Sequence, residues 1–361
     1  MKLKIHNLLL ALFLTASLFF PANIPIPHLQ SENQFASASS AAQNYTITVR
    51  NDTDYLLFIR GRDSSGNTYP AVTLMKRDHS TTPTTVHSHD YIFDLSQKKI
   101  ISGNIYGCWV DPSDLDVNAA YDMQKRCAMA EMTIDEESGH GNADVTFVDT
   151  ISLPIQIDVQ GTGCNPSECS IQTDFEVNEV RNGCPTSKID YASPFPDVCI
   201  SADHYCTDSV DGDPTDTAFC TNKLSAEIAD CKANYPGCNA GSSTTTNVYG
   251  CDGGFFDTED GKPYCAALNR GVLSSWNNQS DPTVIAQFYQ STAINEYAKW
   301  IHNILSTRGY TFPYDDYPSD INQALDLGFN TSTKLTITFF NTQIEVTQQQ
   351  LHYLPLLFKA Y

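Results

Sequence analysis

Two acidic residues, Glu131 and Asp144, lie on consecutive strand-like segments that are joined by a turn rich in Gly, Ser and Asp. The first segment, 130–134, alternates polar and apolar side chains, and the second spans 144–149. Alternate side chains of a strand face opposite sides, so such a pair of strands can present both carboxylates to one groove. Two carboxylates facing each other across a groove are the minimal equipment for breaking a glycosidic bond.

We therefore predict that Glu131 is the general acid and Asp144 is the base that positions water. Neighbouring negative charges in an acidic cleft raise the pKa of one carboxyl, which suits the acid. The alternative is that both are surface residues of a cleft that binds its ligand without turning it over.

Asp149 is a third candidate, expected to bind substrate. It lies an odd number of positions from Asp144, so a straight strand would place the two on opposite faces. A bend is needed to bring them together. The alternative is that Asp149 caps a turn or hydrogen-bonds to backbone.

Aromatic side chains could offer a platform on which the C–H faces of sugar rings stack. We assign this role to Tyr106, Phe312 and Tyr314, with ordinary core packing as the alternative. Asp315 lies in the same aromatic and acidic loop as Phe312 and Tyr314, and we expect it to face the cleft.

The N-terminus predicts export. A basic start and a short apolar run read as a signal peptide over 1–22, with a cut as late as 38 as the alternative, followed by a flexible linker over 23–43. No second apolar run is long enough to span a bilayer. The formal net charge of -21 repels nucleic acid and anionic membranes but not a neutral polysaccharide. We expect a secreted monomer that has no nucleic-acid partner and no membrane contact after the signal is removed.

Twelve cysteines, an even number, predict up to six disulfides in an oxidising compartment. Zinc binding is the alternative, but no Cys-x-x-Cys pair occurs. His87 and His89 share a strand face, and four aspartates surround Gly212, but neither group makes a recognisable metal site. No metal or other cofactor is expected.

Short alternating strands with frequent turn signals predict a mainly β fold, a sandwich or barrel. From Cys164 to Cys265 the chain is rich in cysteine and polar residues, which is typical of a loop-rich lobe held by disulfides. A helix is predicted at Ser225–Lys232, and apolar spacings of three and four predict a longer one over 282–305. The segment 334–340 is predicted to be a final strand that pairs back into the first sheet.

Several stretches taken together resemble the thaumatin-like protein family, in order and approximate spacing from about Tyr45 to Phe340. They are SGNIYGC at 102–108, MAEMTI at 129–134, DVTFVD at 144–149, CNPSEC at 164–169, and YAKWI with YTFPYDD at 297–301 and 310–316. A bacterial type of β-1,3-glucanase shares this architecture and is the nearest competing family.

The resemblance implies a flattened β-sandwich with a disulfide-rich loop and helix lobe and an acidic cleft between them. The implied domain covers 44–341, with the sandwich at 44–160 and 283–341, the lobe at 161–282, and a C-terminal tail at 342–361. The family's cleft Glu falls on Glu131 and its three Asp on Asp144, Asp149 and Asp315. Its Arg falls at or near Cys108 and is missing or displaced.

The function implied is binding of β-1,3-glucan or a related cell-wall polysaccharide, with endo-glucanase activity as a possible addition. The alternatives are a carbohydrate-binding or antimicrobial protein without turnover, and a secreted inhibitor or protein-interaction module whose exposed disulfide loops contact another protein.

Overall fold

The structure, a computed structural model, describes most of the chain from Thr46 to Asn341. The described residues are 46–63, 72–74, 90–94, 100–110, 127–135, 140–160, 169–173, 175–186, 188–189, 197–207, 225–235, 238, 245–252, 255–256, 258–318, 321, 325–330 and 334–341. All of them lie in one compact unit, Ala42–Tyr361. The predicted signal peptide (1–22), linker (23–43) and C-terminal tail (342–361) lie outside the described residues.

One five-stranded sheet has the strand order β10-β9-β14-β1-β4. Its strands are β1 (Thr46–Asp52), β4 (Asp90–Asp94), β9 (Ile155–Gln160), β10 (Ser170–Gln172) and β14 (Lys334–Phe340). Strand β14 runs parallel to β1 and antiparallel to β9, so the prediction that the last strand pairs back into the first sheet is confirmed.

A second, six-stranded sheet has the order β13-β7-β6-β5-β2-β3, and all its neighbouring strands are antiparallel. Its strands are β2 (Leu56–Arg62), β3 (Val72–Leu74), β5 (Ile100–Val110), β6 (Cys127–Asp135), β7 (His140–Thr146) and β13 (Leu325–Asn330). Period-two alternation gives this sheet one apolar face and one face that carries polar side chains.

The apolar faces of the two sheets share a single buried core, to which Ile47 and Ile337 of the first sheet and Ile59 and Val145 of the second contribute. Gly107 on β5 lets the sheets approach, because a Cβ atom there would lie 2.7 Å from the ring of the buried Phe339. The mainly β, sandwich-like fold that the sequence predicted is confirmed.

The third part is a lobe of short helices around a small sheet of order β11-β12-β8. The strands are β8 (Thr150–Ile151), β11 (Lys188–Ile189) and β12 (Val198–Ile200), and the helices are α1 (Val177–Gly183), α2 (Ala202–Thr207), α3 (Ser225–Asn234), α4 (Thr245–Gly250) and α5 (Lys262–Arg270). Strand β8 comes shortly after β7 of the second sheet in the chain. Its pairing with β12 therefore joins the lobe to that sheet.

Disulfides hold the lobe, as the cysteine pattern predicted. Cys184–Cys199, Cys231–Cys238 and Cys251–Cys265 lie within it, and Cys206 is also disulfide-bonded. A further bridge, Cys108–Cys127, joins β5 to β6 in the second sheet. The predicted helix at Ser225–Lys232 is confirmed as α3.

The long helix predicted over 282–305 is instead three short pieces. Helix α6 (Pro282–Ile285) ends early, Tyr289 takes a left-handed conformation (φ 60°), and α7 (Glu296–Lys299) continues into a π-helical turn over Trp300–Ile304. Asn295 starts the second piece, since its side chain accepts a hydrogen bond from the backbone N–H of Ala298. The apolar spacing there reflects burial and not one continuous helix.

The contact between the sheets gives a test of the sandwich. Gly107→Ala should lower the free energy of unfolding by about 1–3 kcal/mol, because the added methyl group collides with the ring of Phe339. Urea denaturation would measure it. The matched control is Gly328→Ala on β13, where a Cβ atom meets nothing within 4 Å and stability should not fall. Equal stability for both variants would contradict this packing.

Candidate functional site

A row of polar residues crosses the outer face of the second sheet. Arg62 on β2 is the pairing partner of Asn104 on β5, Asn104 pairs with Glu131 on β6, and Glu131 pairs with Asp144 on β7. Directly paired residues point to the same side, with Cβ atoms about 4.5–5.5 Å apart. We call these four residues the polar row. The structure thus brings Glu131 and Asp144 together on adjacent strands, as the alternation predicted.

Exposure falls along the polar row. Arg62 is exposed, Asn104 and Glu131 are half-buried, and Asp144 keeps only 7% of its surface. The residues of the row therefore become less exposed to solvent from Arg62, at the end of β2, to Asp144 on β7. The register position beyond Asp144 is occupied by Asp326 of β13.

The environment of Glu131 favours the protonated form of its carboxyl group. Burial raises the pKa of its carboxyl above the ordinary value, and the negative charge of Asp149 raises this pKa further. A raised pKa favours the protonated carboxyl, which is the form that a general acid requires.

Asp149 reaches the site through a bend. Strand β7 ends at Thr146 and β8 begins at Thr150, so Asp149 lies in the irregular turn between them and does not follow the strand's alternation. Its carboxylate Oδ1 accepts a hydrogen bond from Nε2 of His204 on α2 at 2.7 Å. The bend that the sequence required is present, and His204 is a neighbour that no sequence pattern indicated.

Tyr106 lies one row away from Glu131, on the same face of the sheet. Burial raises the pKa of its hydroxyl, and the charge of Asp149 adds to this, so the phenol stays protonated. The hydroxyl oxygen accepts a hydrogen bond from Nδ2 of Asn104 at 3.1 Å. Tyr106 packs with Met129 and the Cys108–Cys127 bridge in a small apolar cluster on this outer face. Only 8% of the surface of Tyr106 is exposed, so much of its side chain is committed to this packing.

Arg62 was missed by the sequence reasoning, which looked for the family's arginine near Cys108. The alternation of β2 could have found it, because Leu57 and Ile59 face the core and the arginines at 60 and 62 must then face outward. The charge of Arg62 lowers the pKa of Tyr106 against the larger effects that raise it.

Asp315 was expected to face the cleft, but the structure places it in the interior. It is fully buried, and its carboxylate receives hydrogen bonds from Nε2 of His302 at 2.8 Å, from the hydroxyl of Thr311 at 2.6 Å and from Arg270 at 3.3 Å. Burial alone would raise its pKa, but His302, Arg270 and Thr311 more than offset this, so the pKa lies below the ordinary value. A carboxylate enclosed in this way holds the fold and offers no surface to a sugar.

The other two residues proposed for the aromatic platform also belong to this region. Phe312 is 1% exposed and its ring faces the guanidinium of Arg270 at 5.7 Å, so it is a core residue. Tyr314 is half-buried and lies under the ammonium of Lys262 at 4.9 Å, with a left-handed backbone (φ 67°). Of the three aromatic residues, Tyr106 is the one that shares the face of Glu131.

No group of three or more His, Cys, Asp or Glu side chains within the described part of the chain is arranged to hold a metal ion. The histidines at 87 and 89 and the acidic stretch 208–216 lie outside that part. None of the described helices has the length and apolar character needed to cross a membrane.

Comparison with known proteins finds similarity to β-1,3-glucanases in part of the sequence and in the fold. The family model for glycoside hydrolase family 64, described as β-1,3-glucanase, matches residues 215–339. Among solved structures, a β-1,3-glucanase domain of this family from Clostridium beijerinckii matches with a TM-score of 0.52 and 16% identity, covering 82% of this chain and 98% of that one. A laminaripentaose-producing β-1,3-glucanase, solved with laminaritetraose, matches with a TM-score of 0.50 and 15% identity, covering 83% and 99%.

No curated protein sequence matches the chain. The thaumatin-like xylanase inhibitor TLXI has a TM-score of only 0.20 and covers 43% of this chain, so the thaumatin-like assignment made from the sequence is not supported. The competing relation is supported: the chain has the fold of the β-1,3-glucanase domains of glycoside hydrolase family 64.

Glu131→Gln should make the protein more stable at neutral pH. Because burial and Asp149 raise the folded-state pKa of Glu131, the stability it contributes is fully present below the ordinary pKa of about 4.3 and is lost as pH rises through the raised value. A neutral amide avoids that loss. Melting temperatures should therefore be higher than wild type at pH 7 and converge with it below about pH 4.

The control for this effect is Glu259→Gln, whose side chain is 86% exposed and whose pairing with Lys262 is worth little. Its melting temperature should follow wild type at every pH. A lower melting temperature for Glu131→Gln at pH 7 would count against the burial of an ionisable acid at this position.

Asp315→Asn should lower the free energy of unfolding by about 3–5 kcal/mol, because it leaves the buried guanidinium of Arg270 without its counter-charge. Since the pKa of Asp315 is lowered, its contribution in the wild type is lost only as pH falls through that low value. Urea unfolding at pH 7 measures the difference. Asp316→Asn, at the half-buried neighbouring position, should stay within about 0.5 kcal/mol, and equal effects would refute the structural role.

Proposed function

We propose that the protein binds β-1,3-glucan along the outer face of its second sheet and hydrolyses internal linkages of the polymer. The observation that carries this proposal is the direct cross-strand pairing of Glu131 with Asp144, in which the half-buried Glu131 has a raised pKa. Support also comes from the glucanase fold and from the related enzyme that was solved with laminaritetraose.

Glu131 supplies the proton in this mechanism. Its protonated carboxyl donates to the glycosidic oxygen as the bond to the anomeric carbon breaks, so the leaving sugar departs as a neutral alcohol. Tyr106 and Asn104 flank the acid on the same face, and both can hydrogen-bond to sugar hydroxyl groups.

Asp144 accepts the other proton. As an ionised carboxylate it takes a proton from a water molecule, and the water oxygen forms the new bond to the anomeric carbon on the face opposite the leaving group. One bond breaks, one bond forms, and the configuration inverts. Such a reaction requires the two carboxyl groups to be about 6.5–9.5 Å apart. The Cβ atoms of directly paired residues are about 4.5–5.5 Å apart, so the inverting distance requires the side chains of Glu131 and Asp144 to splay away from each other.

The protein's chemistry suits a neutral polysaccharide outside the cell. A net charge of -21 repels anionic polymers, and the bridges Cys108–Cys127, Cys184–Cys199, Cys231–Cys238 and Cys251–Cys265 are typical of an oxidising compartment. We propose that the protein acts there as a secreted monomer.

Glu131→Gln should reduce the release of reducing sugar from soluble β-1,3-glucan by at least about 100-fold, since general acid catalysis contributes factors of this order. Retention on particulate β-1,3-glucan should stay within twofold of wild type. Asp144→Asn should behave in the same way, and Glu259→Gln should keep both properties. Proton NMR of the first products of the wild type should show the α-anomer that inversion requires.

The same assays separate the alternatives. A wild-type protein that is retained on glucan but releases no sugar would be a carbohydrate-binding or antimicrobial protein. A wild type that does neither would leave an inhibitor or interaction role. A β-anomer as first product would make Asp144 a nucleophile and would overturn the inverting mechanism.

A further inference from the structure

The bend that carries Asp149 is held by the lobe. Strand β8 begins at the next residue, Thr150, and Thr150 pairs with Ile200 of β12. Directly after β12 come Ser201 and helix α2, so the antiparallel pairing brings the start of α2 over the bend. A segment about fifty residues further along the chain is thereby placed against the edge of the site.

Two hydrogen bonds fix Asp149 to this segment. The backbone N–H of Ser201 donates to the carbonyl oxygen of Asp149 at 2.9 Å, and Nε2 of His204 donates to the carboxylate Oδ1 at 2.7 Å. His204 is itself anchored, because its backbone N–H donates to Oγ of Ser201 at 3.2 Å. The His204 and Asp149 side chains are only 14% and 28% exposed. A short hydrogen bond to an ionised carboxylate is stronger than a neutral one and sets its orientation.

The bend also lies against the strand that carries Glu131, because the hydroxyl of Thr150 donates to the backbone carbonyl of Cys127 on β6 at 2.9 Å. The negative charge of Asp149 acts on groups of three other elements. It raises the pKa of Glu131 on β6, of Tyr106 on β5 and of Tyr297 on α7, in each case after the larger effect of burial. Tyr297 has its hydroxyl committed to the backbone carbonyl of Phe147 at 2.8 Å and is fully buried, so it is a fixed neighbour. Of these three groups, Glu131 is the carboxyl group with a proposed chemical role. The other charged groups of the polar row are its cross-strand partner Asp144 and, beyond Asn104, Arg62.

We propose that Asp149 is a positioning residue that His204 holds in place, and that its fixed negative charge adds to the effect of burial in favouring the protonated form of Glu131, the form that donates to the glycosidic oxygen. This assignment rests on the proposed function. It replaces the substrate-binding role that the sequence suggested for Asp149. It also gives the lobe a part in the chemistry, since His204 belongs to α2 and not to either large sheet.

The direct test is the titration of Glu131 in the Asp149→Asn variant. Without the neighbouring charge, the Glu131 carboxyl should lose its proton at lower pH, which 13C NMR of labelled glutamate reports without any turnover. The alkaline limb of kcat/KM should move down by the same amount, and activity above the limb should fall about tenfold for each pH unit that the limb moves. KM and retention on glucan should change less than twofold.

His204 provides a second pair of variants that leaves the carboxylate of Asp149 in the chain. His204→Phe removes the donor, so the carboxylate can turn into solvent and the limb should move to lower pH. His204→Gln keeps an N–H donor and should restore most of the activity lost in His204→Phe. Movement to higher pH in His204→Phe would mean that His204 screens Asp149 as a cation, which would overturn the orienting role.

Two other results for the Asp149→Asn variant would contradict the positioning role. An unmoved limb with KM raised tenfold or more in Asp149→Asn would make Asp149 a sugar ligand, and no change in either quantity would leave it without a role at the site. The NMR titration separates this proposal from the proposed function. A wild type that releases no sugar, but whose Glu131 still titrates lower in Asp149→Asn, would end the glucanase proposal and keep the charge coupling.

Discussion

The antiparallel register of β5, β6 and β7 is the constraint on which the site depends. Because side chains alternate, a slip of one residue would turn Glu131 into the apolar core and leave Ala130 outside. Two features hold the register of β5 against β6. The Cys108–Cys127 bridge ties β5 to β6 at one end, and a bulge in β5 between Ile100 and Gly103 shifts the pairing at the other. The polar row lies between these two features.

Carboxylates of the same chemical type have different environments in this fold. Asp315 is enclosed by Arg270, His302 and Thr311 and has a lowered pKa, whereas Glu131 is half-buried, is close to another negative charge and has a raised pKa. The first arrangement stabilises the ionised form and joins distant segments. The second favours the protonated form at a half-buried position on the outer face of the second sheet. Environment, and not residue type, separates the structural acid from the candidate catalytic acid.

The lobe and the second sheet are connected where the chemistry is proposed to occur. The β8–β12 pairing begins one residue after Asp149, and Cys199 of β12 is bridged to Cys184. Disulfides in a loop-rich region restrict its conformations. A braced lobe can therefore hold His204 at hydrogen-bonding distance from Asp149, which an unbraced polar loop of this length would do poorly.

Local pattern in the sequence was enough to predict the mainly β fold, the disulfide-held lobe, the final strand and the shared face of Glu131 and Asp144, because alternation acts between neighbouring residues. It was also enough to place Arg62 on the outer face, although that was overlooked. Tertiary structure decided the rest. The burial of Asp315 depends on Arg270, which is 45 residues away, and the orientation of Asp149 depends on His204, which is 55 residues away. Apolar residues recur at helical spacing over 282–305 because the segment is buried on several sides, and not because it forms one long helix. Burial and charge environment come from residues that are distant in the chain, and local periodicity carries no information about them.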